Sequence, residues 1–315
     1  MAGLDTGSLR VFCAVADHGS VSRAAALLGE TQSTLSRRLA ALESDLCGRL
    51  FYRTGRGVTL TPLGERLLPR ARAILRECEA LLEAGRDEHA SPTGAVVVGA
   101  VPGASRPLVA ELCVSLRREY PRIRLQALEG YSGEVESWLA HGRIDVGIFN
   151  RYGRASVHGA DLLLTSVMAL VRRRDAAAAA EEVAFRGLEG VALVLPPRPN
   201  GLVSRLDDLA ARQKIRLKVA SEMTNPSLVQ DAVARAGLAT IVPLHVALRD
   251  YASSHFCIQR IVKPAMAQST WLATTTEHPV SEAARAVLRL IRALSQSARV
   301  PVRRTELTGP RSARS

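Results

Sequence analysis

The run Gln32-Ser33-Thr34-Leu35-Ser36-Arg37-Arg38 gathers one carboxamide, three hydroxyls and two guanidiniums, and leucines recur through it at 35, 39, 42 and 46. Leucines at i, i+4, i+7 and i+11 form one buried stripe of a helix over 32–46. The opposite side then carries Ser33, Arg37, Ala40 and Ser44, flanked by Gln32 and Ser36. Short polar groups and arginine on the first half of a helix can reach base edges and phosphates in a major groove. Further on, Arg53-Thr54-Gly55-Arg56-Gly57 reads as a turn between two short strands. Arg53 and Arg56 on such a turn suit a phosphate backbone or a minor groove. No chemistry of bond-making is visible. There is no Gly-x-Ser-x-Gly, no phosphate-cradling P-loop and no His-Glu-x-x-His. These absences argue against an enzyme and suggest neither a cofactor nor a metal. Asp145 and Asp161 read as isolated structural carboxylates.

The elements that must hold this helix are equally well marked. Leu9, Phe12, Cys13 and Ala16 predict a first helix over 8–17, closed by His18-Gly19. Ser20 caps a second helix over 21–28 that Gly29 ends, and Thr31 caps the third. Ala24-Ala25-Ala26 lets two helices approach closely, so the segment reads as a helix-turn-helix followed by a wing. Between residues 20 and 76 there are ten arginines and four acids.

The whole chain has 315 residues and a net charge of +12, and only three of its 42 basic residues are lysine. That length allows two or three domains, and that charge favours a polyanionic partner. Five scattered cysteines, none in a Cys-x-x-Cys pair, suggest neither a disulfide framework nor a zinc ribbon. No apolar run approaches a membrane span and no secretory leader is visible, so a cytoplasmic protein without membrane contact is expected.

Further motifs point to one family. Gly19-Ser20-Val21-Ser22-Arg23-Ala24-Ala25, Gln32-Ser33-Thr34-Leu35-Ser36, Leu42-Glu43, Leu50-Phe51-Tyr52-Arg53 and Gly57-Val58-Thr59-Leu60-Thr61-Pro62-Leu63-Gly64 resemble the winged helix of LysR-type transcriptional regulators. The stretches Ile74-Leu75-Arg76-Glu77-Cys78-Glu79 and Leu195-Pro196-Pro197-Arg198-Pro199-Asn200 are similar to its nitrogen-assimilation-control-like branch. The resemblance implies a DNA interface built from Ser20, Gln32, Ser33, Thr34, Ser36, Arg37, Arg38, Arg53 and Arg56. One departure stands at Cys47-Gly48, where the family has glycine directly after the leucine; the turn is expected to shift by one residue.

Residues 62–90 predict a long helix capped by Thr61, with Pro62 at its first position and a kink expected at Pro69. Leu67, Ala71, Ile74, Cys78 and Leu81 follow a 4-3-4-3 spacing, and Leu68, Leu75 and Leu82 form a second stripe. Two stripes call for a partner helix, most simply that of a twin chain. The resemblance extends the expected homodimer to a homotetramer and adds RNA polymerase as a candidate partner. After Ser91-Pro92-Thr93-Gly94, strand-like and helix-like runs alternate to residue 297, predicting a parallel sheet with right-handed crossovers. The expected fold class is therefore multidomain α plus α/β: a winged helix-turn-helix (1–61), a linker helix (62–90) and a two-subdomain effector domain (91–297) resembling periplasmic binding proteins. Subdomain I would comprise 91–164 and 268–297, and subdomain II 165–267, with strands crossing near 161–170 and 262–270. A basic tail (298–315) reads as disordered.

In such sheets ligands bind outside the carboxyl ends of strands, at helix N-termini. Ser105, as N-cap of a helix over 106–119, Tyr131 and Ser132, and from the other side Asn200, Thr224 and Asn225, are the expected effector contacts. A small molecule, with an anion the natural candidate, would bind between the subdomains and change how a regulator sits on a pseudo-palindromic site in double-stranded DNA. Two alternatives compete: a redox-sensing regulator of the same family, and a binding protein or enzyme without DNA activity. Cys113, mid-helix among apolar residues, reads as a core thiol, which weakens the redox reading.

Overall fold

The computed structural model describes residues 5–55, 57–84, 91–153, 156–174 and 180–297. Arg56 and the basic tail 298–315 lie outside them. The chain begins with three short helices, α1 (Thr6–His18), α2 (Val21–Leu28) and α3 (Gln32–Asp45), then a hairpin of β1 (Phe51–Thr54) and β2 (Gly57–Leu60). Side-chain caps start each helix: Asp5 accepts from the Gly7 and Ser8 amides, Ser20 from Arg23, and Thr31 from Thr34. Gly19 and Gly29 end the first two in the left-handed conformation that glycine adopts without a Cβ clash. The predicted leucine stripe is the core: Leu35 is fully buried, and Leu39 and Leu42 pack beside Phe12, which meets Phe51 edge-on at 5.6 Å. The hairpin is fastened where the Val58 amide donates to the Gly19 carbonyl at 2.9 Å. A Cβ at Gly57 would stand 2.2 Å from that same carbonyl oxygen, so only glycine permits the approach.

The turn after α3 keeps its register. Cys47, not Gly48, takes the left-handed position, at φ 51°. The expected one-residue shift is therefore corrected: the cysteine adopts the strained backbone itself. The long helix α4 (Pro62–Ala84) begins where the Thr61 hydroxyl accepts the Gly64 amide at 3.0 Å, and it continues through Pro69 as one helix.

The remaining chain folds into two α/β lobes. In the first, β3 (Gly94–Ala100) lies between β4 (Ile123–Glu129) and β5 (Val146–Tyr152), all parallel. Between β3 and β4 the chain makes α5 (Pro102–Ala104), a π-helical turn at Ser105–Val109 and α6 (Ala110–Glu119). Helix α7 (Ser132–Ala140) precedes β5. A long strand, β6 (Asp161–Arg173), carries the chain into the second lobe. There follow β7 (Glu182–Ala184), a 3-10 turn at Phe185–Leu188, β8 (Ala192–Leu195), α8 (Gly201–Gln213), β9 (Lys218–Glu222), α9 (Pro226–Ala236), β10 (Thr240–Pro243), α10 (Leu244–Asp250) and β11 (Phe256–Val262). Strand β12 (Ala267–Thr274) and α11 (Glu282–Ser297) complete the first lobe.

The sheet is mixed rather than purely parallel. β12 runs antiparallel to β5 and β6, and β10 and β11 run antiparallel to the second half of β6. The handover along β6 falls at Val167–Met168, where pairing passes from β12 to β10. Each lobe has its own core: Val96, Val98, Leu112 and Val287 in the first, and Met168, Phe185, Leu193 and Leu206 in the second. The two lobes are joined by β6 and by the segment between β11 and β12. Asp145 is structural, accepting the Val97 amide at 2.7 Å beside His278, and Asp161 pairs with Arg292.

Candidate nucleic-acid interface and ligand cleft

On the first half of α3 Gln32, Ser33, Arg37 and Arg38 are exposed and Ser36 is half-buried, with Ala40, Ala41, Ser44 and Asp45 exposed further along, while Leu35, Leu39 and Leu42 face inward. Gln32 is held by a neighbour: the Ser22 hydroxyl donates to its Oε1 at 3.0 Å. Arg38 is less available than its type suggests, because Nη1 sits 2.8 Å from Glu30. The Thr34 hydroxyl lies 2.8 Å from Thr31 Oγ1 in the cap network, and Ser20 is engaged as the α2 cap. Arg37 is exposed and has no ion pair among the described residues. Arg53 projects from β1 opposite Val58, next to exposed Tyr52, so the wing offers a cation and an aromatic face.

Helix α4 divides its apolar residues in a way the spacing did not resolve. Ala71 is buried and Leu67 packs with it against the core of its own domain, so those two face α1. Cys78 is half-buried. Ile74, Leu81 and Leu82 stand exposed.

Between the lobes lies a cavity of about 620 Å³. Four of the six expected effector contacts line it. Tyr131 caps α7, its amide donating to the Glu134 carboxylate at 2.8 Å, while its hydroxyl crosses the cleft to the Thr224 carbonyl at 2.9 Å. Burial, with Glu134 and Glu129 nearby, holds the Tyr131 phenol above its ordinary range. Ser132 Oγ accepts the Asn150 amide at 3.0 Å, and Asn200 caps α8 through the Leu202 amide at 2.9 Å. Ser105 and Asn225 are not on this wall. Ser105 is no N-cap: it opens a π-helical turn and gives its hydroxyl to Glu129 and, at 3.2 Å, to the Pro102 carbonyl. Asn225 caps α9 and borders an adjoining hollow.

Sequence reasoning missed the cleft's arginines. Arg106, Arg151, Arg205 and Arg249 line the cavity, and in a chain so rich in arginine their type gave no signal. Arg151 is matched by Glu136 and Arg249 by Asp250, whose carboxyl the guanidinium holds below the usual range. Arg249 also reaches across to the Gly103 carbonyl at 3.3 Å. At the floor, the Tyr152 hydroxyl donates to Gln268 Oε1 at 3.0 Å and Thr270 donates to Asn150 at 2.9 Å. Among the described residues no group of three or more potential metal ligands is present. Cys113 is exposed on α6, not the core thiol its apolar neighbours suggested, while Cys257 is buried in β11.

A helix-turn-helix with an exposed polar recognition face, joined to a two-lobed domain with an interlobe cavity, defines a DNA-binding regulator with a ligand-binding domain. Residues 6–65 match the model described as "Bacterial regulatory helix-turn-helix protein, lysR family", and residues 89–296 match "LysR substrate binding domain". The chain belongs to the LysR family of DNA-binding transcriptional regulators, and its homologues are regulators, not enzymes. The nitrogen assimilation regulatory protein nac of Escherichia coli K12 is 27% identical over 290 residues, covering 92% of this chain and 94% of that protein. The same protein of Klebsiella aerogenes is 28% identical over 289 residues, covering 91% and 93%. Among solved structures, a full-length OxyR variant from Pseudomonas aeruginosa shares the fold with a TM-score of 0.69 at 18% identity, covering 94% of this chain and 96% of that one. Full-length CbnR complexed with its target DNA gives 0.64 at 20% identity, covering 93% and 99%. No described helix is long and apolar enough to cross a membrane.

Proposed function

We propose that this regulator reads DNA with Gln32, Ser33, Ser36 and Arg37 of α3 in the major groove and with the wing arginines Arg53 and Arg56 on the backbone. Ser20, Thr34 and Arg38 act at the edges of that face, their side chains already partly engaged. The exposed Ile74, Leu81 and Leu82 of α4 support a helix-paired homodimer, which sets two wings against two half-sites about one helical turn or a multiple apart. A tetramer follows the family habit, in a cytoplasmic setting.

A small-molecule effector, with Tyr131, Ser132, Asn200 and Thr224 on its walls and Ser105 and Asn225 just behind, binds between the lobes. Its unequal affinity for two lobe arrangements changes how the wings sit on DNA. The observation that carries this reading is the interlobe cavity, bridged by the Tyr131–Thr224 and Arg249–Gly103 hydrogen bonds. The test is a metabolite screen by thermal shift on the full chain and on Ser204→Trp, which fills the cavity from an exposed lining position. A hit that stabilises the wild type, fails with Ser204→Trp and moves the promoter footprint supports the reading; hits indifferent to Ser204→Trp refute it. A redox-sensing reading has one observation in its favour, the exposure of Cys113. Unchanged DNA binding and electrophoretic mobility after mild peroxide removes it.

A further inference from the structure

We infer that Glu30 is a positioning residue for DNA binding: it keeps the Arg38 guanidinium on the protein and so withholds one cation from the phosphate backbone. The inference rests on the reading of α3 as the groove helix and deepens it at the edge of that face. Ser33, Arg37, Ala40 and Ser44 share one row of α3, and Arg38 stands about 100° further round, on the side away from Ser36. There its Nη1 lies 2.8 Å from Oε1 of Glu30, a residue of the turn between α2 and α3. The same nitrogen rests against the start of α1, since a Cβ at Gly7 would stand 3.7 Å from it. Asp5, the cap of α1, feels this charge as well. The Ser8 hydroxyl and amide, then the Gly7 amide, hold the Asp5 carboxyl below its usual range, and Arg38 adds to them. Arg38 thus faces carboxylates from two neighbouring elements.

A fully exposed ion pair would yield to a phosphate, because such pairs contribute little. This pair is different. Glu30 Oε2 is closed to solvent and has no hydrogen-bond partner among the described residues. Half of the carboxylate has therefore left water, and the guanidinium at Oε1 is its compensation. Taking the partner from a desolvated charge is more unfavourable than the pair itself is favourable. Moving Arg38 to a phosphate strips Glu30 of its cation and brings a second anion toward it. Arg37 gives the contrast: one residue away, it is exposed and has no ion pair among the described residues. The result is a reading domain that neutralises one phosphate fewer than its arginines allow. That weakens sequence-independent binding and leaves the base contacts of α3 as they are. Arg38 flanks the reading face with its charge already matched.

The test is a double-mutant cycle on the full chain, with Glu30→Gln, Arg38→Ala and the two together. Affinity for the promoter fragment and for random duplex is read by fluorescence anisotropy between about 50 and about 200 mM salt. Glu30→Gln should tighten both duplexes alike and steepen log affinity against log salt by about 0.9, so that affinity falls roughly 3.5-fold further across that range. Arg38→Ala should lower the slope by about one unit more in the Glu30→Gln protein than in the wild type. Glu30→Met keeps the side-chain length, offers the guanidinium no oxygen, and should give the same steepening. Glu111→Gln removes an exposed acid from α6 and should leave both slopes as in the wild type. Melting temperatures of the free proteins separate loss of fold from a change in binding. An unchanged slope in both Glu30 variants would overturn the inference. So would an Arg38→Ala effect of equal size with and without Glu30, because Glu30 would then act by its own charge and not through Arg38. Either result, obtained with promoter preference intact, leaves the reading of α3 standing while this inference falls. A wild type without promoter preference sinks both.

Discussion

Replacing Tyr131 by phenylalanine tests whether the lobes are held together by the bond seen across the cleft. The substitution keeps the ring and removes only the hydroxyl that donates to the Thr224 carbonyl at 2.9 Å. One such bond contributes about 0.5–1.5 kcal/mol net. The Tyr131 side is half-buried and Thr224 exposed, so water can replace the lost donor and the lower part of that range applies. The Arg249–Gly103 bond, longer at 3.3 Å, remains as the second bridge. The open arrangement should therefore gain about two- to fivefold in population, which follows from roughly 0.5–1 kcal/mol. Amide exchange read by mass spectrometry should show that increase in the loop 196–200 and the start of α9. Peptides from α11, packed in the first-lobe core, should not change. Unchanged exchange around Thr224 in Tyr131→Phe would show that the bond does not govern lobe opening. A uniform rise including α11 would show general destabilisation instead.

Other substitutions follow from the backbone and the buried titratable groups. Cys47→Gly should stabilise the N-terminal domain by up to about 1 kcal/mol, because a side chain in the left-handed region costs roughly 1–2 kcal/mol and glycine's extra chain entropy returns part of it; equal or lower denaturant midpoints would contradict this. Leu35→Ala, at a fully buried position, should cost about 2–5 kcal/mol and abolish DNA binding with the fold of that domain, as thermal melts would report. Burial, and then Arg249, depresses His245 to about 4, so the folded state resists its protonation. Its contribution to stability is intact above the ordinary histidine range and is lost as pH falls from about 6.5 toward 4. His245→Leu should flatten that part of the stability profile, and an unchanged acid limb would contradict the assignment.

The N-terminal domain could be read closely from the residues because its information is local. Ser20 and Thr31 cap, Gly19 and Gly29 stop, and the stripe of Leu35, Leu39 and Leu42 sets which face of α3 is free. The cleft was readable only in outline. Caps such as Tyr131 and Asn200 announced helix starts beside strand ends, but Ser105 looked the same and instead gives its hydroxyl to Glu129, a partner from a distant strand. Strand β6 has one sequence and two sets of partners, so no local pattern shows where it changes sheets. The arginines of the cleft are distinguished by which carboxylates they meet, and Glu136 and Asp250 reach them only through the fold. On α4 the heptad spacing was real, but a buried Ala71 and an exposed Ile74 share it, and only packing separates the face turned to α1 from the face left open.

The most direct measurement is competitive binding of the purified regulator to its own promoter fragment and to random duplex, at several salt concentrations, for the wild type, Arg37→Ala and Arg53→Ala. The wild type should prefer the promoter. Arg37→Ala should lose about 1–3 kcal/mol of that preference, while Arg53→Ala should weaken both duplexes alike and lower the salt slope. A wild type that binds promoter and random duplex equally, or an Arg37→Ala protein whose footprint and preference are unchanged, would contradict insertion of α3 into the groove.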